Sequence, residues 1–374
     1  MKGFALYRMP YAGDSNATFS KGDCTLLSGE VLEVSSCNEL NTLQGFVMAP
    51  FVQSSEMATP HSQREKPILV IRADSLSSVK EDEVCSLLQE VQLDASPSVT
   101  TKNACHTSTL RSKNYRADYH IDFLNFHAHL LNDNFQKLVL SRCVEVEREE
   151  KTDPVELFQR ASRRYPRMFI ALVYTEQSGL WLAATPEVLL TGDGQQWKTV
   201  ALAGTMAWAD CNATLSQWSE KDVQEQRYVA TYIAEQLGKF TKEFSEEGPQ
   251  TVRAGHLAHL RSDFNFTFLE NANAGQLIEA MHPTPAVCGL PKKDALRFIL
   301  QNEHHDRSYY SGFMGPMGVE GQTAMFVTLR CMRIYENAYR LYAGGGLLKG
   351  SDEEQEWQET EAKLDTMRNI IYNV

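Results

Sequence analysis

A long apolar run is the first feature that this sequence lacks. No stretch approaches the roughly 20 consecutive apolar residues that a membrane-spanning helix needs. The apolar start of the chain is interrupted by Arg8, which leaves it too short for the core of a signal peptide. The eight cysteines are scattered singly and form no C-x-x-C pair, as is usual for reduced thiols. These absences predict a soluble cytoplasmic protein with no membrane partner.

An excess of positive charge is absent as well. The 48 acidic side chains outnumber the 36 lysines and arginines, which gives a formal net charge of −12. Nucleic-acid binding depends on clustered Lys and Arg that neutralise phosphates, so no nucleic-acid partner is expected. An anionic substrate would need either local positive charge or a bound metal ion.

The motifs of several common enzyme classes are missing. The glycine signatures of ATP and dinucleotide sites are incomplete, and the histidines show no H-E-x-x-H or Cys/His zinc spacing. Ser311 lacks the G-x-S-x-G elbow of an α/β-hydrolase, and Cys288 has no evident base to activate its thiol. The sequence therefore disfavours nucleotide-dependent, zinc-dependent and simple nucleophilic enzymes.

Hydrophobic patterning predicts strands and helices in mixed order, which favours an α+β fold over a regular βαβ protein. Strands are predicted at residues 67–73, 137–147, 169–174, 179–184, 198–202, 323–335 and 339–342. Helices are predicted at residues 78–93, 119–132, 219–237 and about 352–371. Polar stretches at 53–66 and 94–112 predict loops, and the second is the best candidate for a domain boundary in a chain of 374 residues.

The closing helix carries a stripe of charged residues. Glu356, Glu359 and Lys363 stand at i, i+3 and i+7, on one face, behind a predicted loop of three glycines at positions 344–346. Paired carboxylates suit Mg²⁺, and a glycine loop can point backbone amides at an anion. The same spacing is also typical of a solvated helix face with ion pairs, so both interpretations stay open at this point.

A second helix could complete such a site. Ser219 and Asp222 form a predicted capping box at its start, and Glu225 follows Asp222 by one turn. A metal site built from two helices would need carboxylates from each. Taken alone, these acidic residues are equally well explained as capping and surface charges.

The order of these and other segments resembles the chorismate-utilising family of isochorismate, salicylate, anthranilate and aminodeoxychorismate synthases. The matching segments are KLVLSR from Lys137, ATPEVLL from Ala184, ALAGT from Ala201, EKDVQEQ from Glu220, HL-x-S from His259, HPTPAVCG from His282, YYSGFMG from Tyr309, TLRC from Thr328, AGGG from Ala343 and EWQETEAKL from Glu356. The resemblance covers about residues 130–374, and the first 110 or so positions carry little motif.

This resemblance implies one large chorismate-binding fold, in which two packed antiparallel β-sheets are flanked by helices. Residues 1–374 would form a single catalytic domain, with a variable N-terminal part at 1–115 and a motif-bearing part at 116–374. A monomer without an amidotransferase subunit is expected.

Three positions indicate the isochorismate synthase branch of the family. Lys137 stands where isochorismate and salicylate synthases have a water-activating lysine, and Ala203 replaces the nucleophilic lysine of many aminodeoxychorismate synthases. Ala286 in HPTPAV is similar to isochorismate synthases. The resemblance thus implies Mg²⁺-dependent conversion of chorismate to isochorismate for menaquinone or siderophore synthesis. A salicylate synthase, an amidotransferase-partnered subunit and a non-catalytic chorismate-binding subunit remain alternatives.

The resemblance also implies a role for each matching residue. Lys137 would be the general base for water at C2, and Glu187 the acid that protonates the departing C4 hydroxyl. Glu225 and Glu359 would bind the metal, with Glu356 acting through water. The enolpyruvyl carboxylate would be held by Tyr310, Arg330, Gly344 and Gly346. The rest of the pocket would be lined by Gly204, Thr205, His259, Ala286 and Lys363.

Three positions depart from the family pattern. Gln226 replaces a common histidine, Trp208 stands where an arginine is frequent, and AGGG replaces AGAG. None of these changes removes an expected ligand or proton carrier.

Overall fold

Strands dominate the part of the chain that the computed structural model describes, which is residues 2–11, 23–52, 66–80, 115–148, 152–208 and 217–373. The strands are β1 (Lys2–Arg8), β2 (Asp23–Val34), β3 (Gly45–Ala49), β4 (Ile68–Arg72), β5 (Ser75–Lys80), β6 (Lys137–Glu147), β7 (Phe169–Thr175), β8 (Gly179–Thr185), β9 (Val188–Gly192), β10 (Trp197–Ala207), β11 (Phe244–Ala254), β12 (Leu257–Phe266), β13 (Gly289–Leu290), β14 (Phe313–Met317), β15 (Thr323–Val327), β16 (Cys331–Ile334) and β17 (Ala338–Leu347). The helices are α1 (Tyr115–Leu131), α2 (Pro154–Arg164), α3 (Glu220–Leu237), α4 (Ala274–Met281), α5 (Lys292–Asn302) and α6 (Glu353–Ile371), with a 3₁₀ turn at Cys37–Thr42.

These 17 strands of the described ranges form one continuous sheet in which every pairing is antiparallel. A first arm runs β13-β6-β17-β16-β8-β7-β1. A second arm runs β4-β3-β14-β15-β9-β10-β12-β11. Strand β2 joins the two, because its first part pairs with β1 and β5 and its last residues, Val31–Val34, pair with β4.

The expectation of two separate sheets is therefore corrected to one sheet with two arms, although the mixed strand and helix composition is right. The 12-residue strand β2 is long enough to leave one arm and enter the other. The arms still face each other across a shared core, where Phe169 of the first arm stacks on Phe326 of the second at 4.2 Å between ring centroids. Phe46 of β3 packs against the same Phe169 ring.

The N-terminal strands, which carry no family motif, lie inside this sheet. Strand β1 pairs with β7, and β3 pairs with β14, so the first 80 positions supply strands that are hydrogen-bonded to the motif-bearing part. Strands β1 and β2 were not predicted from the sequence.

Two helices bring carboxylates to the sheet from their first two turns. Helix α3 begins as predicted at the Ser219 cap, whose Oγ accepts a hydrogen bond from the Asp222 amide at 3.1 Å, and it packs on β10. Helix α6 begins after Asp352, which caps it through the Gln355 amide at 3.0 Å, and it packs on β17. Helices of the described ranges are all too short or too polar to cross a membrane.

Several sequence predictions are confirmed by the structure. Strand β6 has the predicted bounds, and the helices predicted at 119–132, 219–237 and 352–371 correspond to α1, α3 and α6. The loops predicted at 53–66 and 94–112 lie almost wholly outside the described residues. The helix predicted at 78–93 is wrong at its start, where β5 pairs with β2 through Lys80, and its remainder lies outside the described residues.

The predicted glycine loop is also wrong. Residues 344–346 belong to β17, where Gly344, Gly345 and Gly346 pair with Ser141, Leu140 and Val139 of β6. Glycine weakens an isolated strand, yet here long-range pairing holds it, and the missing side chains allow close approach of neighbouring groups. The strand predicted at 323–335 is likewise interrupted, because Arg330 has a φ of 46°.

The ring contact between the arms gives a test of the fold. Phe169→Ala is expected to lower the free energy of unfolding by about 3–5 kcal/mol, because it leaves a cavity in the core that the two arms share. Urea unfolding followed by circular dichroism measures the loss. The control is Ile121→Ala on α1, where the side chain is 56% exposed and little change is expected. Equal stability of the two variants would contradict the packing of the arms.

Candidate active site

A cavity lies where the two arms meet helices α3 and α6. Its wall contains residues from β6, β10, β12, β17 and α6, together with the connections between them. The lining residues are Val139, Pro186, Glu187, Leu202, Ala203, Gly204, Thr205, Glu225, His259, Ala286, Val287, Tyr310, Leu329, Arg330, Ala343, Gly344, Gly346 and Lys363.

Two connections between the arms place charged residues in this wall. Glu187 lies between β8 of the first arm and β9 of the second, and Arg330 lies between β15 of the second and β16 of the first. The crossings are tied by backbone bonds from the Val327 amide to the Glu187 carbonyl at 2.9 Å and from the Ala184 amide to the Arg330 carbonyl at 3.0 Å. The sheet itself therefore fixes the backbone positions of Glu187 and Arg330.

Glu187 is a buried carboxyl group. Burial raises its pKa to about 7, even though Lys137, Lys363 and Arg330 act in the opposite direction. A carboxyl group with this pKa holds its proton through a large part of the neutral range. Glu187 can therefore donate a proton to a leaving group in the cavity.

Arg330 directs an unsatisfied donor toward the cavity. Its Nη2 donates a hydrogen bond to Nε2 of His259 at 3.0 Å, and its buried Nη1 has no hydrogen-bond partner among the described residues. An unpaired buried guanidinium nitrogen is unfavourable, so this position favours an anionic ligand such as a carboxylate. The left-handed backbone at Arg330 is a local strain that the two neighbouring strands hold in place.

His259 orients this guanidinium. Its Nδ1–H donates to the Gly204 carbonyl at 2.8 Å, which leaves Nε2 as the acceptor for Arg330. Burial, together with Arg330 and Lys363, lowers the pKa of His259 to about 3. The imidazole is therefore neutral at physiological pH and acts as a hydrogen-bonding support.

Lys137 lies beneath the cavity wall at the start of β6. Its side chain is fully buried, and its Nζ is 3.0 Å from Glu225 Oε1 on α3. A Cβ at Gly346 would lie 2.0 Å from the same carboxylate oxygen and 2.8 Å from Lys137 Cε. The pair can form only because position 346 has no side chain.

Glu356 and Glu359 approach the same strand from α6. Glu356 Oε1 accepts a hydrogen bond from Ser351 Oγ at 2.7 Å and lies 2.5 Å from Lys221 Nζ. The other carboxylate oxygen of Glu356, Oε2, is buried and has no hydrogen-bond partner among the described residues. Glu359 Oε1 accepts a bond from Lys363 Nζ at 2.5 Å. Burial and the neighbouring Glu359 raise the pKa of Glu356 to about 7.

Each glutamate expected at the metal site is thus paired with a lysine. The three Glu–Lys pairs are Glu225 with Lys137, Glu356 with Lys221, and Glu359 with Lys363. Within the described ranges, no three His, Cys, Asp or Glu side chains are already grouped as a metal centre.

The chemistry of the donor set nevertheless fits a hard cation. All three candidates offer carboxylate oxygens, and Mg²⁺ needs only one or two of them because it retains several waters. A Cβ at Gly345 would lie 3.2 Å from Glu356 Oε2 and 3.5 Å from Glu359 Oε1, so this position leaves space beside both carboxylates. Oε2 of Glu356, which has no hydrogen-bond partner in the described part of the chain, is an available acceptor at the same place.

The structure brings most of the sequence-predicted residues into one wall. Lys137, Glu356 and Glu359 do not line the cavity and lie behind it, whereas the other expected site residues all line it. Gly344 approaches Tyr310, since a Cβ there would lie 2.8 Å from the phenol oxygen.

The family departures have structural explanations. Gln226 is buried and donates to Ser262 Oγ at 2.9 Å, and the ring of Trp208 lies under the guanidinium of Arg253 at 5.3 Å. Gly345 removes a methyl group from beside Glu356.

Sequence reasoning missed a buried ion pair that supports the wall. Arg307 donates to the carbonyls of Val287 at 2.7 Å and Val139 at 2.8 Å, and both of these residues line the cavity. Glu303 accepts from Arg307 Nε at 2.7 Å and from the Ser141 amide at 2.8 Å. Their four-residue spacing, just before YYSG, was the available signal, but the backbone partners come from distant segments. Lys221 was missed for the same reason.

Comparison with known proteins identifies the family. The family model for chorismate binding enzymes matches residues 58–372. The chain is 33% identical over 243 residues to isochorismate synthase EntC of Escherichia coli (strain K12). This alignment covers 63% of this chain and 62% of EntC. The chain is also 28% identical over 374 residues to isochorismate synthase DhbC of Bacillus subtilis (strain 168). That alignment covers 95% of this chain and 91% of DhbC.

A solved structure shows the same fold. The menaquinone-specific isochorismate synthase MenF from Escherichia coli superposes with a TM-score of 0.71 at 20% identity, over 99% of this chain and 88% of that chain. The EntC alignment spans less than two thirds of the length of EntC. The resemblance inferred from motif order, including its isochorismate synthase branch, is confirmed by these relatives. The chain belongs to the chorismate binding enzyme family.

Proposed function

We propose that this protein is an isochorismate synthase, an isomerase that adds water at C2 of chorismate and removes the C4 hydroxyl. One observation carries the proposal: the cavity combines the buried acid Glu187, whose pKa is about 7, with the unsatisfied donor of Arg330. The names of the relatives support this activity. Menaquinone or siderophore synthesis is the corresponding metabolic context.

Substrate binding would rely on positive charge in an otherwise acidic protein. Chorismate carries two carboxylates, and Arg330 would hold the enolpyruvyl carboxylate together with Tyr310 and the glycine strand, which line the same cavity. Lys363 adds a second cation to the wall, where its Nζ already donates to the Gly344 carbonyl at 2.8 Å. Apolar neighbours such as Leu329 exclude water from the ring.

The proton transfers would be divided between two faces of the ring. Glu187 would protonate the departing C4 hydroxyl, and Lys137 would take a proton from the water that attacks C2. Lys137 must first give up its contact with Glu225, because a lysine can accept a proton only in its neutral form. Gly346, which lines the cavity above Lys137, provides the access.

A magnesium ion would be held by Glu225 and Glu359, with Glu356 acting through water. When bound, it would neutralise the ring carboxylate of chorismate. We also assign the activity to residues 1–374 as one cytoplasmic, monomeric catalytic unit that needs no amidotransferase subunit.

The direct test is a product assay. Incubation of the protein with chorismate and Mg²⁺ is expected to yield isochorismate without pyruvate, and chelation with EDTA is expected to stop turnover. Chromatography separates the products. Salicylate with pyruvate would indicate a salicylate synthase instead, and an aminated product formed only with ammonia would indicate an amidotransferase-dependent enzyme.

The two proton carriers can be tested separately. Lys137→Ala and Glu187→Gln are each expected to lower kcat by about 10²–10⁴-fold, because each removes one proton transfer. Lys239→Ala, an exposed lysine beyond α3, is the control and should turn over normally. Circular dichroism establishes whether each variant is folded. A folded variant with near-normal kcat would refute the role of its residue.

The pH dependence follows from the acid role of Glu187. Its proton is present below its pKa of about 7 and is lost as the pH rises through that value. The value of kcat/KM is therefore expected to fall above about pH 7, since this ratio reports groups of the free enzyme. The remaining activity of Glu187→Gln should lack this limb of the profile; an unchanged limb would mean that another group titrates.

A further inference from the structure

Lys221 joins the first turns of the two helices that bear the expected metal ligands. It lies on α3, and its Nζ is 2.5 Å from Oε1 of Glu356 on α6. The resemblance to the family gives this lysine no assigned role here. Its contact is with a carboxylate that is almost completely buried and that leaves its other oxygen without a hydrogen-bond partner among the described residues.

The charge around Lys221 comes from all three glutamates. Its ammonium group contacts Glu356, while Glu225 follows Lys221 by four positions on α3 and Glu359 follows Glu356 by three positions on α6. The carboxylates of Glu356 and Glu359 are close enough to repel one another, since a Cβ at Gly345 would lie 3.2 Å from Glu356 Oε2 and 3.5 Å from Glu359 Oε1. Lys221 therefore neutralises the cluster at the place where a divalent cation would do so.

Of the lysines in the three Glu–Lys pairs, Lys221 can move away from its carboxylate most easily. Its side chain is 22% exposed, against 14% for Lys363 and 0% for Lys137. Lys363 has a second bond to the Gly344 carbonyl inside the cavity, and Lys137 is enclosed under β17. A flexible four-carbon stem at a partly exposed position can move its ammonium group into solvent.

We propose that Lys221 is a resident counter-ion that occupies the metal site in the metal-free protein and is displaced when Mg²⁺ binds. The inference rests on the proposed function, because it takes Glu225 and Glu359 as the direct metal ligands and Glu356 as a ligand through water. When no metal is bound, the positive charge of Lys221 offsets the repulsion among the carboxylates. Lys221 also competes with the metal for Glu356. Metal affinity is thereby set in part by a residue that is not a ligand.

The test is titration calorimetry with Mg²⁺ alone, in the absence of chorismate. Lys221→Met is expected to bind Mg²⁺ about tenfold more tightly than the wild type, because the competing charge is gone. Lys221→Arg, which retains the charge, should stay close to the wild type. Lys239→Met removes one positive charge beyond the opposite end of α3 and is the control for the change in net charge, so its affinity should not change.

Thermal unfolding gives a second measurement. Without metal, Lys221→Met should have a lower Tm than the wild type, because the buried carboxylates then lack their counter-ion. Saturating Mg²⁺ should raise the Tm of Lys221→Met by more than it raises that of the wild type. Lys221→Gln replaces Lys221→Met in both measurements if the latter does not fold.

The outcomes separate the two proposals. Unchanged or weaker Mg²⁺ binding in Lys221→Met and Lys221→Gln overturns the counter-ion role, and so does the absence of Mg²⁺ binding in the wild type. The product assay on the wild type decides the activity independently. If Lys221→Met binds Mg²⁺ more tightly but the wild type forms no isochorismate, only the proposed function is overturned.

Discussion

The site depends on one constraint, which is that β17 passes between α3, α6 and β6 without side chains at positions 344–346. A Cβ at Gly346 would overlap Glu225 at 2.0 Å, and one at Gly345 would press on Glu356 at 3.2 Å. Bare backbone at this point allows carboxylates from two helices and the lysine of β6 to approach one another. Pairing with β6 keeps this glycine segment extended despite its weak intrinsic preference for a strand.

Charge balance is the second consequence of this close approach. Burying a carboxylate without a partner is strongly unfavourable, and here each of Glu225, Glu356 and Glu359 has its own lysine. The arrangement offsets the charge of these buried carboxylates. Among the three lysines, Lys221 is the most exposed and Lys137 the most deeply buried.

The continuous sheet explains the positions of Glu187 and Arg330 in the cavity wall. Glu187 and Arg330 both lie where the chain crosses from one arm to the other, and backbone bonds across the crossings hold them. His259 then fixes the guanidinium through a single tautomer. The Glu303–Arg307 pair supports the opposite wall by binding the carbonyls of Val139 and Val287. Binding geometry is thus determined by strand connectivity more than by any one side chain.

The sequence by itself determined the elements whose signals are local. The strand at 137–147 ends in alternating valines and glutamates, and helices α3 and α6 have their own N-terminal caps, so their positions follow from neighbouring residues. Motif order indicated the family and the residues expected in the cavity. Only the tertiary structure decided that the three glycines form a strand, that two arms make one sheet, and that each glutamate pairs with a particular lysine. These features depend on strand register and on contacts between residues far apart in the chain, such as Lys221 with Glu356, which no local pattern can specify.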